Sequence, residues 1–137
     1  MKNLANCTPS EFLKQTNLIK KSVEKWLKAT DIMEIRKRMP SGMPEVTADM
    51  STSEKQKVLE KRQKMLREQS NKNLSAILDA MLEEHPQETL EVLALCCFVE
   101  PEKVDDNPMS YYLRSVYEMI DDDAVKDFFT LLMSLAQ

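Results

Sequence analysis

A single glycine in 137 residues limits what this chain can fold into more than any other feature. Hairpins and barrels turn on residues with positive φ, which glycine adopts at no steric cost, so a sheet-rich architecture needs several. Ten Met, with many Leu, Lys and Glu, favour helix instead. The sequence predicts an all-α fold, a multi-helix bundle with an N-terminal helical arm. With 42% hydrophobic and 31% charged residues it reads as globular, and its length suffices for a core without staples.

Helix starts are legible along the chain. In "TPSEF" Thr8 is placed to cap, Pro9 takes the first helical position and Glu11 reaches back as a capping box. Phe12, Thr16, Ile19, Val23 and Trp26 with Leu27 follow at helical spacing, opposite Lys14, Lys20, Lys21, Lys25 and Lys28. Asp31 with Glu34 predicts a short second helix carrying Ile32, Ile35 and Met39, ended by Arg36-Lys37-Arg38 and Pro40. The stretch from Pro40 to Ser51 holds the lone Gly and two Pro, and reads as a linker. The expected organisation is an arm and linker over residues 1–50 and a helical bundle over 51–137, with a compact core in 73–137.

Ser51 with Glu54 opens a long helical stretch. Val58, Leu59, Met65 and Leu66 form a thin apolar stripe, "REQSNKN" from Arg67 to Asn73 interrupts it, and Leu74, Ile77, Leu78, Met81 and Leu82 resume it. With no Pro or Gly to mark a break, one projecting helix is favoured over two that meet near residue 70. His85-Pro86 ends this element, since a residue before proline avoids the α region. From Leu90 to Phe98 the next helix is apolar in every direction, which places it at the centre of a bundle, with Cys96 and Cys97 as packing residues. Asn107 then reads as a cap with Pro108 at the first position. Met109, Tyr112 with Leu113, Val116 with Tyr117, and Ile120 make a regular stripe. Asp121 to Asp123 break the chain and put negative charge at the start of a last helix through Val125, Phe128, Phe129, Leu132 and Leu135.

The inventory for catalysis is poor. The only His is His85, at an expected helix end, and the adjacent thiols lie in the most apolar segment, far from a Cys–His pairing. Three Cys and one His do not supply a paired zinc set, and a di-iron bundle needs two Glu-x-x-His motifs. With one Gly there is no glycine-rich phosphate loop. No enzymatic activity, metal or cofactor is expected. "LANC", Leu4 to Cys7, looks like a lipoprotein cleavage site, but only three residues precede it, so it is not read as one. The longest apolar run, Val92 to Val99, falls well short of the roughly 20 residues of a membrane span. Reduced cysteines and a cytoplasmic location follow as expectations.

Charge is divided unevenly. Residues 1–72 hold 16 Lys+Arg against 9 Asp+Glu, and residues 73–137 hold 3 against 14. The halves either complement each other, within one chain or between copies of a homo-oligomer, or face different partners. Two candidate surfaces follow. Phe12, Ile19, Val23, Trp26 and Met65 are candidates for apolar contact with a protein partner, with core packing as the alternative. Lys55, Lys57, Lys61, Arg62, Lys64 and Arg67 form a candidate basic face for nucleic acid. Interleaved Glu54, Glu60 and Glu68 and an overall pI near 5.1 weigh against the second.

Two stretches, "SAILDAMLEEHPQETLEVLALCCFVEPEKVDDNPMSYYLRSVYEMIDDDAVKDFFTLLMSLAQ" and "MEIRKRMP", resemble tail assembly chaperones, small all-helical proteins encoded by phages and prophages of Gram-positive bacteria. The resemblance covers mostly residues 74–137 as helix pattern. It implies a non-catalytic protein of the bacterial host cytoplasm that binds tail tape-measure or tail-tube proteins and keeps them competent to assemble. It brings no metal or active-site residues, and the Lys-rich segment 54–72 has no counterpart in it.

Overall fold

The structure is a computed structural model describing residues 1–136. It is all-α, and no strand occurs among the described residues. Six α-helices follow in order: α1 (Pro9–Thr30), α2 (Ile32–Arg36), α3 (Thr52–Asp79), α4 (Pro86–Cys96), α5 (Met109–Asp121) and α6 (Asp123–Leu135). A π-helical turn, Ala80–Glu84, extends α3, and a 3-10 turn, Pro101–Asp106, joins α4 to α5.

The chain forms two compact units, and the division departs from the expected one. Residues 1–29 and 85–137 make the first, and residues 30–84 make the second. The N-terminal segment is therefore no arm: α1 is built into the same unit as α4, α5 and α6. Residues 73–84, expected in the bundle core, belong with the inserted unit instead. Periodicity locates helices along a chain but carries no information on which of them pack together.

Most predicted helix starts form as expected. Glu11 N–H donates to Thr8 Oγ1 at 3.3 Å and Thr8 N–H donates to Glu11 Oε1 at 3.1 Å, a reciprocal capping box. Ser51 Oγ accepts from Glu54 N–H at 3.2 Å, and Asp122 Oδ2 accepts from Val125 N–H at 2.9 Å. Two starts differ. Asp31 precedes α2 in the left-handed region, φ 57°, with no side-chain cap. Asn107 does not cap α5 either; Pro108 is the extended residue before the helix, and Asn107 Nδ2 lies 3.5 Å from Tyr112 Oη.

In the first unit α4 is central, as its all-round apolar character predicts: from Glu88 to Val99 no residue is exposed. Ala94, Cys97, Val104 and Tyr112 form the buried cluster, with Leu90, Leu93, Val99 and Tyr111 packed against it. Tyr112 Oη donates to Val104 O at 2.6 Å, so the one polar atom of this buried ring is paired. The end of α4 is unusual. Val99 N–H reaches Ala94 O at 3.0 Å and Phe98 N–H reaches Leu95 O at 3.3 Å, the two bonds of a Schellman motif. The left-handed position, where glycine is usual, is held by Phe98 at φ 56°. Such a conformation costs a bulky residue on the order of 1 kcal/mol or more, and Lys2 Nζ lies over the Phe98 ring, 5.0 Å from its centre.

The second unit is long helix, short helix and loop. The helix favoured over residues 54–84 is continuous from Thr52 to Asp79, with no break at Arg67–Asn73. That polar interruption has a structural use. Asn73 is buried, its Nδ2 donates to Arg38 O at 3.1 Å, and Gln69 Nε2 donates to Asn73 Oδ1 at 2.8 Å. Arg62 likewise donates to Pro44 O at 2.9 Å. Polar side chains of α3 thus hold the glycine-bearing loop, in which Gly42 has φ +69° with open space around it.

Candidate protein-binding surfaces

The two cysteines on α4 are packing residues. Cys96 is 8% exposed and Cys97 2%, and both are free thiols. Burial pushes the Cys96 thiol up to about 11, helped by the neighbouring Cys97. Burial also raises Cys97, with the Ser115 hydroxyl pulling the other way. Thiols held protonated in this way are poor nucleophiles. His85 stands at the start of α4 without capping it, its Nδ1 3.7 Å from Glu88 Oε2. No group of three or more His, Cys, Asp or Glu able to hold a metal ion occurs among the described residues. None of the described helices is long and apolar enough to cross a membrane.

The α1 stripe is engaged by its own unit. Phe12 packs edge-on against Phe128 at 4.9 Å, and Trp26 Nε1 donates to Thr89 Oγ1 at 2.9 Å. Ile19 and Val23 lie half-buried on the same stripe. Between these positions sits Gln15, 8% exposed, whose Nε2 donates to Leu95 O at 2.6 Å near the end of α4. On this candidate stripe Phe12 meets Phe128 of α6 and Trp26 meets Thr89 of α4, and Ile19 and Val23 share their side, so part of its area is taken up by the unit's own packing. Met65 is half-buried and belongs to the second unit.

The sequence-level charge imbalance is met partly inside the first unit. Lys25 Nζ lies 2.9 Å from Glu91 Oε2, and this hydrogen bond and charge hold the Lys25 ammonium above its ordinary range, with Glu88 adding to the effect. On α3, Lys57, Lys61, Lys64 and Arg67 are exposed, whereas Lys55 is half-buried and Arg62 is committed to the loop carbonyl. None of the exposed four has an ion-pair partner among the described residues.

A surface that periodicity marked as a stripe, but did not assign to a partner, lies on α5 and α6. Nine of the twenty exposed large hydrophobic residues fall on these two helices. Met109, Leu113, Tyr117 and Ile120 follow one line along α5, at 49%, 46%, 69% and 59% exposure. Their spacing is helical, so the sequence marks a stripe; but α5 carries a second, inward stripe through Tyr112, Ser115 and Met119. Both stripes are apolar-rich, and only packing tells which is core. Ile120 borders a groove of about 410 Å³ that it shares with Met119, Val125, Phe129 and Met133, so the α5 stripe runs onto α6. On the other side of α6 a groove of about 400 Å³ lies among Leu4, Cys7, Phe12, Leu13 and Phe128. Only Val125 of α6 is buried. In the second unit a groove of about 280 Å³ is lined by Arg36, Met39, Leu66, Asn73 and Leu74.

Compared with protein-family models, curated proteins and solved structures, the chain matches none.

Proposed function

We propose that this chain is a non-catalytic protein-binding module, an assembly chaperone or adaptor of the phage tail type implied by the resemblance of residues 74–137, acting in the bacterial host cytoplasm. The observation that carries the reading is the exposed apolar line Met109–Leu113–Tyr117–Ile120 with its continuation into the Phe129 and Met133 groove. Contiguous apolar surface of this kind marks interaction sites on folded proteins. A chaperone of assembly has to cover apolar surface on a client and release it, for which an open, shallow, Met- and Leu-bearing face is suited. The partner that the resemblance implies is a tape-measure or tail-tube protein.

The unpaired cations of α3 support a second reading, an accessory protein that contacts nucleic acid through Lys57, Lys61, Lys64 and Arg67. Salt separates the two. Affinity capture from cells carrying the native locus, washed at low and at high salt, is expected to retain tail structural proteins under both washes, because apolar docking does not depend on counterion release. Nucleic acid retained at low salt and lost at high salt, with no tail protein, is the result that would replace the first reading with the second.

A further inference from the structure

Resting on that reading, we propose that the α5–α6 face receives a basic amphipathic helix of the partner. Shape and charge both lead there. The exposed line on α5 advances eleven residues from Met109 to Ile120, about 16 Å of helix, or three turns. No strand, and so no free sheet edge, exists among the described residues. An extended peptide therefore has no ladder to join, and recognition must come from side chains entering an apolar groove, the mode by which amphipathic helices are held.

The charges fix the class of helix. Asp105 and Asp106 precede the line in the chain, Asp121 and Asp123 follow it, and Asp127 lies further along α6; all five are exposed. None of these five has an ion-pair partner among the described residues. Two other carboxylates nearby are committed: Asp122 caps α6, and Glu118 accepts from Asn3 Nδ2 at 2.9 Å. Against them α5 and α6 offer only Arg114 and Lys126, the second at the groove itself. An apolar centre with unpaired acids at both ends complements a helix bearing Leu, Ile or Met at i, i+4 and i+7 and Lys or Arg at its flanks. A second copy of this chain presenting the same face would oppose carboxylates to carboxylates, which disfavours it.

The test uses the full chain and fluorescence anisotropy with three labelled 18-residue peptides. One is a Leu/Lys amphipathic helix, one keeps its Leu pattern with Glu for Lys, and one has the composition of the first in an order without amphipathicity. The Leu/Lys helix is expected to bind at least tenfold tighter than either control. Leu113→Gln and Tyr117→Gln, both at exposed positions, are expected to weaken it about tenfold with an unchanged circular dichroism spectrum and Tm. Equal binding of the disordered-pattern peptide would mean charge attraction without a docking face and would overturn the inference. Equal binding of the Leu/Glu helix would overturn the charge selection while leaving the protein-binding reading intact. A chain that sediments as a dimer, becomes monomeric in Leu113→Gln and binds no peptide would assign the face to a second copy, which also overturns it. A monomer that binds none of the three overturns it too, and the capture experiment then judges the broader reading separately.

Discussion

The two units hold themselves together by different chemistry. In the first, the centre is Ala94, Cys97, Val104 and Tyr112, a dry cluster with one paired hydroxyl. In the second, a single long helix carries an inner side that includes Arg62, Gln69 and Asn73, and two of these grip loop carbonyls. Burial of apolar area is non-directional and pools over many contacts. A polar grip is local, and its net worth is about 1 kcal/mol per hydrogen bond. The first unit should therefore answer to substitution as a block, and the second piece by piece.

The sharpest way to break that contrast is a charge in the dry cluster. Cys97→Asp places an unpaired carboxylate where only 2% of the side chain meets water, and it should cost about 3–5 kcal/mol. Thermal or urea unfolding followed by circular dichroism should show loss of the cooperative transition of the first unit. A variant that unfolds like the parent would mean that α4 is not the centre.

Next comes pH. The Cys96 thiol titrates near 11 when folded and near its ordinary 9.0 when unfolded. The unfolded chain loses its proton first as pH rises, so stability is full below about 9 and declines between about 9 and 11. Two decades of difference correspond to about 2–3 kcal/mol, a ceiling because other groups titrate in the same range. Denaturant midpoints measured from pH 8 to 11, on the parent and on Cys96→Ala, check it: the alkaline decline should be smaller in the variant. An identical decline in both would remove Cys96 from the account.

The smallest effect belongs to the second unit. Asn73→Ala removes the donor to Arg38 O and should cost about 1–2 kcal/mol. Hydrogen exchange should quicken in α2 and in the loop through Pro44, while α4 and α5 keep their protection. Equal loss of protection in both units would show that they unfold as one and would erase the distinction drawn above.

Local sequence carried a good deal of this. The Thr8–Glu11 box and the Ser51 and Asp122 caps rest on side chains meeting backbone within one turn, Pro86 at the first position of α4 on its fixed φ, and the unbroken α3 on a run without Pro or Gly, all of them properties of neighbouring residues. Asn107 failed for a related reason: Asn and Pro in sequence fit a cap, but they also fit an extended lead-in, and packing beside Tyr112 chose the latter. Gln15 and Asn73 were readable only as polar interruptions of apolar stripes. Their partners, Leu95 O and Arg38 O, lie 80 and 35 residues away, and nothing in the local pattern points to them.

By itself the sequence determined the helical class, the places where helices start, and the burial of the Cys96–Cys97 pair, because spacing and capping are properties of a few consecutive residues. Tertiary structure alone decided that α1 joins α4, α5 and α6 while residues 30–84 form a unit of their own. It alone decided that Phe12 and Trp26 face inward while Leu113 and Tyr117 face out. An apolar stripe states only that a helix has a side to cover. Which side finds a neighbour depends on the positions of all the other helices, and that is settled when they pack.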